Sequence, residues 1–198
     1  MRSVTKKWLF MALPLLVIGC SNKVTRVQSD SIIDLSGRWN DVDSRLVAEE
    51  MINDCLNKPW LYKWQSAKKL PTVIVGKIVN KTLEHISVET FVKDVEAALL
   101  NSGKVNFVAT KTEREQVRDE KEDMQDFASV QTAKSIGEET GADLMMIGTL
   151  NAVPDQEGNE AVVFYQVNME LIDIESNQKV WIGTKKIKKF VERATKKL

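Results

Sequence analysis

Apolar and polar positions in this chain repeat with two different periods, and the changes of period mark out its elements. Val47, Met51 and Cys55 recur at i, i+4 and i+8, with Leu46, Ile52 and Leu56 beside them and Arg45, Glu49 and Glu50 turned away. One apolar stripe of that width predicts a helix docked on a core. Asp41 or Asp43 is placed to cap it, because a short acceptor side chain satisfies the first free amides. Pro71 to Asn80 is nearly continuous and β-branched, which predicts a central strand buried on both faces. Behind Ser87, the positions Val88, Phe91, Val92, Val95, Leu99 and Leu100 return to the helical period, and Gly103 offers a left-handed cap. Val105 to Ala109 reads as a second strand. Lys111 to Asp126 carries dense charge of both signs, which predicts a solvated helix or mobile excursion.

A further helix is expected from Val130 to Thr140, closed by Gly141, and a buried strand from Leu144 to Leu150. Pro154 to Asn159 reads as a turn. Beyond it Val163, Tyr165, Val167, Met169 and Leu171 alternate with Gln166, Asn168 and Glu170, the period-2 signature of a half-buried strand. Glu175 to Gln178 makes a hairpin loop, and Lys179 to Lys185 returns as the last strand. The tail from Lys185 to Leu198, with seven basic residues and one acid, reads as solvated. The order helix, strand, helix, strand, helix, three-strand meander gives an α+β domain. It has a single mixed, mostly antiparallel sheet of about 4–5 strands with helices packed on it, the first crossover being parallel and right-handed.

The N-terminus follows different rules. Arg2, Lys6 and Lys7 precede an apolar run from Trp8 to Ile18, and Gly19-Cys20 closes it. That is a secretory signal peptide, too short to span a bilayer, which needs about 20 apolar residues. A cysteine after an apolar and a small residue resembles a bacterial lipobox, which implies cleavage before Cys20 and acylation of its thiol and new amine. Ser21 rather than Asp then favours the outer membrane, and several acyl chains give stable anchoring. Residues 1–19 are thus the signal peptide, 20–31 the lipidated cysteine and a short polar tether, and 32–198 one globular domain. The eleven tether residues after Cys20 reach at most about 35–40 Å.

Composition narrows the chemistry. Without residues 1–19 the chain carries 25 basic against 28 acidic residues, a balance unlike that of a nucleic-acid binder. With Cys20 acylated, Cys55 has no disulfide partner and reads as a small core hydrophobe. His85 is the only histidine, which removes multi-histidine metal sites and Ser-His or Cys-His pairs. No Gly-rich phosphate loop occurs. The carboxylate pairs, such as Glu49-Glu50 and Glu138-Glu139, lie in charged stretches where nothing would raise a pKa for acid–base work. Neither a catalytic residue, a metal site, a cofactor nor a small-molecule substrate is indicated.

Asp34-Leu35-Ser36-Gly37-Arg38-Trp39-Asn40-Asp41-Val42-Asp43-Ser44-Arg45 running into Val47-Ala48-Glu49-Glu50-Met51 resembles the LpoB family, within the wider CsgG-like superfamily. Pro71 to Gly76, Thr140 to Asp143 and Leu171 to Ile174 extend the likeness over roughly residues 32 to 190. The resemblance implies a non-enzymatic outer-membrane lipoprotein on the periplasmic side. Such a protein binds a docking domain of a class A penicillin-binding protein and stimulates its peptidoglycan synthesis. The chain departs from the family in its tether, which lacks a long Pro-rich linker. Arg38, Trp39, Asn40, Asp43 and Arg45 are the first candidates for the partner surface, since an exposed Trp among charges makes a good hot spot. Alternatively, Trp39 folds back on the helix it precedes and Asp43 is its cap. Trp60, Tyr62 and Trp64 form a second candidate, or else part of the core rim. The competing functions are an accessory or subunit of a CsgG-like secretion or assembly system, another envelope-binding lipoprotein, or a peptidoglycan-acting enzyme. The first would need membrane-spanning strands of about 9–11 residues, for which no segments are left unassigned.

Overall fold

A computed structural model of the chain describes residues 24–127 and 141–192. The expected signal peptide, Cys20, the expected helix from Val130 to Thr140 and the last residues of the tail lie outside the described residues. The chain divides into two units, one ending at Ser31 and one beginning at Ile32. In the first, residues 24–30 are exposed, and their one backbone bond closes a turn from the Ser31 amide to the Gln28 carbonyl at 3.1 Å.

In the second unit the elements run α1 (Asp41–Leu56), α2 (Trp60–Ser66), β1 (Thr72–Asn80), α3 (Val88–Asn101), β2 (Asn106–Phe107), α4 (Lys111–Phe127), β3 (Leu144–Glu157), β4 (Glu160–Asp173) and β5 (Lys179–Glu192). They build one five-stranded sheet in the order β2-β1-β3-β4-β5. β1 pairs in parallel with both β2 and β3, while β3–β4 and β4–β5 are long antiparallel ladders. The fold is therefore the expected α+β arrangement with a mixed, mostly antiparallel sheet.

The core lies between one face of this sheet and the pair α1 and α3. Val47, Ala48, Met51, Ile52 and Cys55 of α1 and Phe91, Val95 and Leu99 of α3 meet Val73, Val75, Met146, Val167, Met169 and Leu171 of the strands. Each helix supplies residues three or four apart and each strand every second residue, so the two periods read from the sequence converge on one interior. Gly183 serves this face by having no side chain: a Cβ there would lie 2.2 Å from the Trp181 ring, which folds across it. The Trp181 indole N–H donates to Asp54 Oδ2 of α1 at 3.0 Å, tying the helix to β5.

Several boundaries differ from the sequence reading. β3 continues through Pro154 to Glu157, and only Gly158 and Asn159 turn the chain. Past Leu150 β3 has no β1 neighbour, and proline is tolerated on such an edge stretch. β5 runs seven residues further than Lys185, because Ile187, Lys189 and Val191 keep the inward alternation set by Trp181 and Gly183. β2 shrinks to two residues. β1 is covered on one face only, with Lys77 exposed and a register shift between Val75 and Ile78. Leu46 and Leu100 sit at the margins of their helical stripes and are exposed. The Pro59–Trp64 aromatics belong to a short helix, α2, and the charged stretch from Lys111 is the exposed helix α4.

Candidate functional surface

The segment entering α1 is fixed by its own polar atoms. Asn40 is the N-cap: its side chain accepts from the Asp43 amide at 3.1 Å, and the Asp43 carboxylate accepts from the Asn40 amide at 3.0 Å. This reciprocal box satisfies two orphan donors at once. It corrects the expected cap, since Asp43 stands at the third helical position and Asp41 takes no part. Gly37 turns the chain just before, with φ +68, and the Asp34 carboxylate accepts its amide at 3.1 Å. A Cβ on Gly37 would sit 2.1 Å from Val191 Cγ2, so only glycine lets the segment lie against β5.

Trp39 folds back rather than projecting. Its indole N–H donates to Ser44 Oγ of α1 at 2.8 Å, and its ring meets Phe91 and Tyr165 edge to face at centroid distances of 6.2 and 5.6 Å. Its backbone N–H is shared between Tyr165 Oη at 3.0 Å and Glu84 Oε2 at 3.2 Å. Tyr165 in turn donates to Glu84 Oε1 at 2.5 Å. Burial, and next the bond to Glu84, push the Tyr165 phenol above its ordinary value, so it stays a donor.

Lys189 closes the arrangement from β5. Its ammonium lies 2.6 Å from both Asp34 Oδ2 and Asp43 Oδ2 and donates to the Arg38 carbonyl at 3.0 Å. Burial alone would lower its pKa, but the bonds to Asp34 and Asp43 outweigh it and raise the value. Lys189, Asp34, Glu84 and Tyr165 went unnoticed as a group in the sequence. The available signal was the β5 alternation, which continued past Lys185 would have turned Lys189 inward.

The first candidate residues thus separate. Trp39, Asn40 and Asp43 join this clasp. Arg38 is exposed, and Arg45 is half-buried with its guanidinium 3.6 Å from Glu49. Of the second set, Trp60 packs against the core and donates its indole N–H to the Cys55 carbonyl at 2.8 Å. Tyr62 is exposed, and Trp64 is half-buried with Lys63 Nζ 5.5 Å from its ring centroid. Cys55 itself is fully buried, and burial drives its thiol up to about 12, consistent with a packing role. Beside the clasp an open groove of about 630 Å³ runs between α1 and β5, lined by Leu46, Val47, Asn53 and Ile187. Glu50 and Lys185 pair across it. Among the described residues no group of three or more His, Cys, Asp and Glu side chains is placed to hold a metal, and no helix is long and apolar enough to cross a membrane.

The comparison that decides the family is a match to the model of the peptidoglycan-synthase activator LpoB over residues 43–187, well over half of the chain. The chain belongs to the LpoB family. The matched span runs from within α1 to within β5; of the clasp, Asp43, Glu84 and Tyr165 lie inside it, while Asp34, Trp39 and Asn40 precede it and Lys189 follows it. Among solved structures, the chain is similar to the LpoB C-terminal domain from Salmonella enterica, at 15% identity and a TM-score of 0.44, covering 73% of this chain and 98% of that one. Lipoprotein GNA1162 from Neisseria meningitidis matches at 12% identity and a TM-score of 0.42, over 64% of this chain and 88% of that one. The LpoB C-terminal domain from Escherichia coli matches at 14% identity and a TM-score of 0.38, over 71% and 97%. No curated protein matches the chain by sequence. Membership places it among regulatory activators of peptidoglycan synthesis.

Proposed function

We propose that this protein is an outer-membrane lipoprotein, anchored through Cys20 on the periplasmic side, that binds a class A penicillin-binding protein and activates its peptidoglycan synthesis without catalysing a reaction itself. The observation that carries the reading is the family match across residues 43–187. Activation of this kind is a coupling free energy: the lipoprotein binds the active synthase conformation more tightly than the resting one and shifts the population accordingly. Of the first candidates, Arg38 and Arg45 are the ones placed to meet a partner directly, and Trp39, Asn40 and Asp43 act by holding the segment that presents them.

The test is retention of the cell's own class A synthase by the full lipoprotein in detergent, paired with a glycan-polymerisation assay of that synthase. Retention and a faster synthase are the expected result. Arg38→Glu weakens retention while leaving the melting temperature unchanged, whereas Trp39→Ala lowers the melting temperature. A synthase neither retained nor accelerated sinks the activator reading, and hydrolysis of glycan by the lipoprotein alone sinks the non-enzymatic one.

A further inference from the structure

β5 ends the sheet, and no described element pairs with its outer edge. Natural edges are usually kept short, bulged or charged to prevent pairing. This one is fourteen residues long, and its only register shift against β4 lies near its start, between Leu171 and Ile172 of the partner strand. Its lysines guard it less than their number implies. Lys185 and Lys189 point to the helix side and are neutralised there by Glu50, Asp34 and Asp43. Toward the opposite face the strand presents Ile182 and Phe190, 60% and 61% exposed, with Lys186 and Lys188 between them. On the helix side the same edge borders the α1–β5 groove, where Leu46 is 43% exposed beside Ile187.

A long edge that no described element pairs with, flanked by a helix groove, is the geometry in which an extended segment adds as a further strand. Its main chain bonds to the edge, and its alternate side chains fall into the groove. We propose that β5 is such a docking edge and that its occupant is an extended segment of the synthase. Residues of that segment turned to the helix side are apolar, to fill the groove at Leu46 and Ile187. On the other face it carries acids opposite Lys186 and Lys188, between apolar residues at Ile182 and Phe190. The occupant rests on the activator reading, while the edge and its groove stand on the geometry alone.

Hydrogen exchange of the full lipoprotein in detergent, with and without the solubilised class A synthase, tests this. Addition of a strand slows exchange at alternate β5 amides between Ile182 and Phe190. Leu46→Glu, and separately the pair Lys186→Glu with Lys188→Glu, each weaken synthase binding by about tenfold or more, with circular dichroism unchanged. Lys186→Arg with Lys188→Arg retains it. Synthase binding that leaves the β5 amides unaltered overturns strand addition while the activator reading stands. No synthase binding at all overturns both.

Discussion

Replacing Lys189 by methionine keeps the length and the apolar stem of the side chain and deletes only the ammonium that joins Asp34, Asp43 and the Arg38 carbonyl. The side chains of Lys189 and Asp43 are 9% and 10% exposed, so the substitution leaves a carboxylate inside without its cation. Breaking a buried pair in this way costs about 3–5 kcal/mol. Asp34 is 38% exposed, and water screens that half of the cluster, which sets the expected loss at the lower end, about 3 kcal/mol. For a domain of this size each kcal/mol moves the midpoint by about 2–4 °C, so Lys189→Met melts about 6–12 °C below the wild type. Thermal unfolding of the full chain in detergent, followed by tryptophan fluorescence, reads this directly. Lys188→Met removes the same charge one residue away on the exposed face and changes stability by no more than about 0.5 kcal/mol. The difference also has a pH signature. The Lys189 pKa is raised in the folded state, so its contribution is fully present below the ordinary lysine value and is lost as the pH rises through the folded one. Coincident melting of Lys189→Met and Lys188→Met at neutral pH would refute the clasp as a stabilising element.

Gly37→Ala forces a side chain into a left-handed backbone, at about 1–2 kcal/mol, and onto Val191 Cγ2. In a denaturation series, Val191→Ala added to it recovers the steric part and leaves the backbone part, and full recovery would show that the conformation at Gly37 is unimportant. Cys55 in the native protein resists a thiol reagent at pH 8, and its peptide becomes labelled only on unfolding. Because burial raises its pKa to about 12, the folded state loses stability as the pH climbs from the ordinary thiol range toward that value. Cys55→Ala removes that slope, and rapid labelling of Cys55 in the native state would contradict its burial.

The sequence by itself determined which faces are apolar. The i, i+4, i+8 stripe of Val47, Met51 and Cys55 and the alternation of Tyr165, Val167, Met169 and Leu171 are local consequences of helix and strand geometry and reached the interior, whereas Val163 stayed half-buried and the β1 run sent only Val73, Val75 and Ile78 into the core. The α+β class followed from the order of those elements. The ends of elements were less legible. A proline suggested a turn at Pro154 and a run of lysines suggested a solvated tail after Lys185, because local composition does not record whether a neighbouring strand is there to pair with. Only the tertiary structure decided where the side chains of the Arg38–Arg45 segment go. Trp39 is turned inward by Tyr165, which is 126 positions away, and Asp43 is neutralised by Lys189, 146 positions away. That no described element pairs with the outer edge of β5 likewise has no sequence signal, since strand order is fixed by which long-range pairs form. Period is set by bonds between near neighbours, whereas the clasp and the edge exist only once distant segments share a surface.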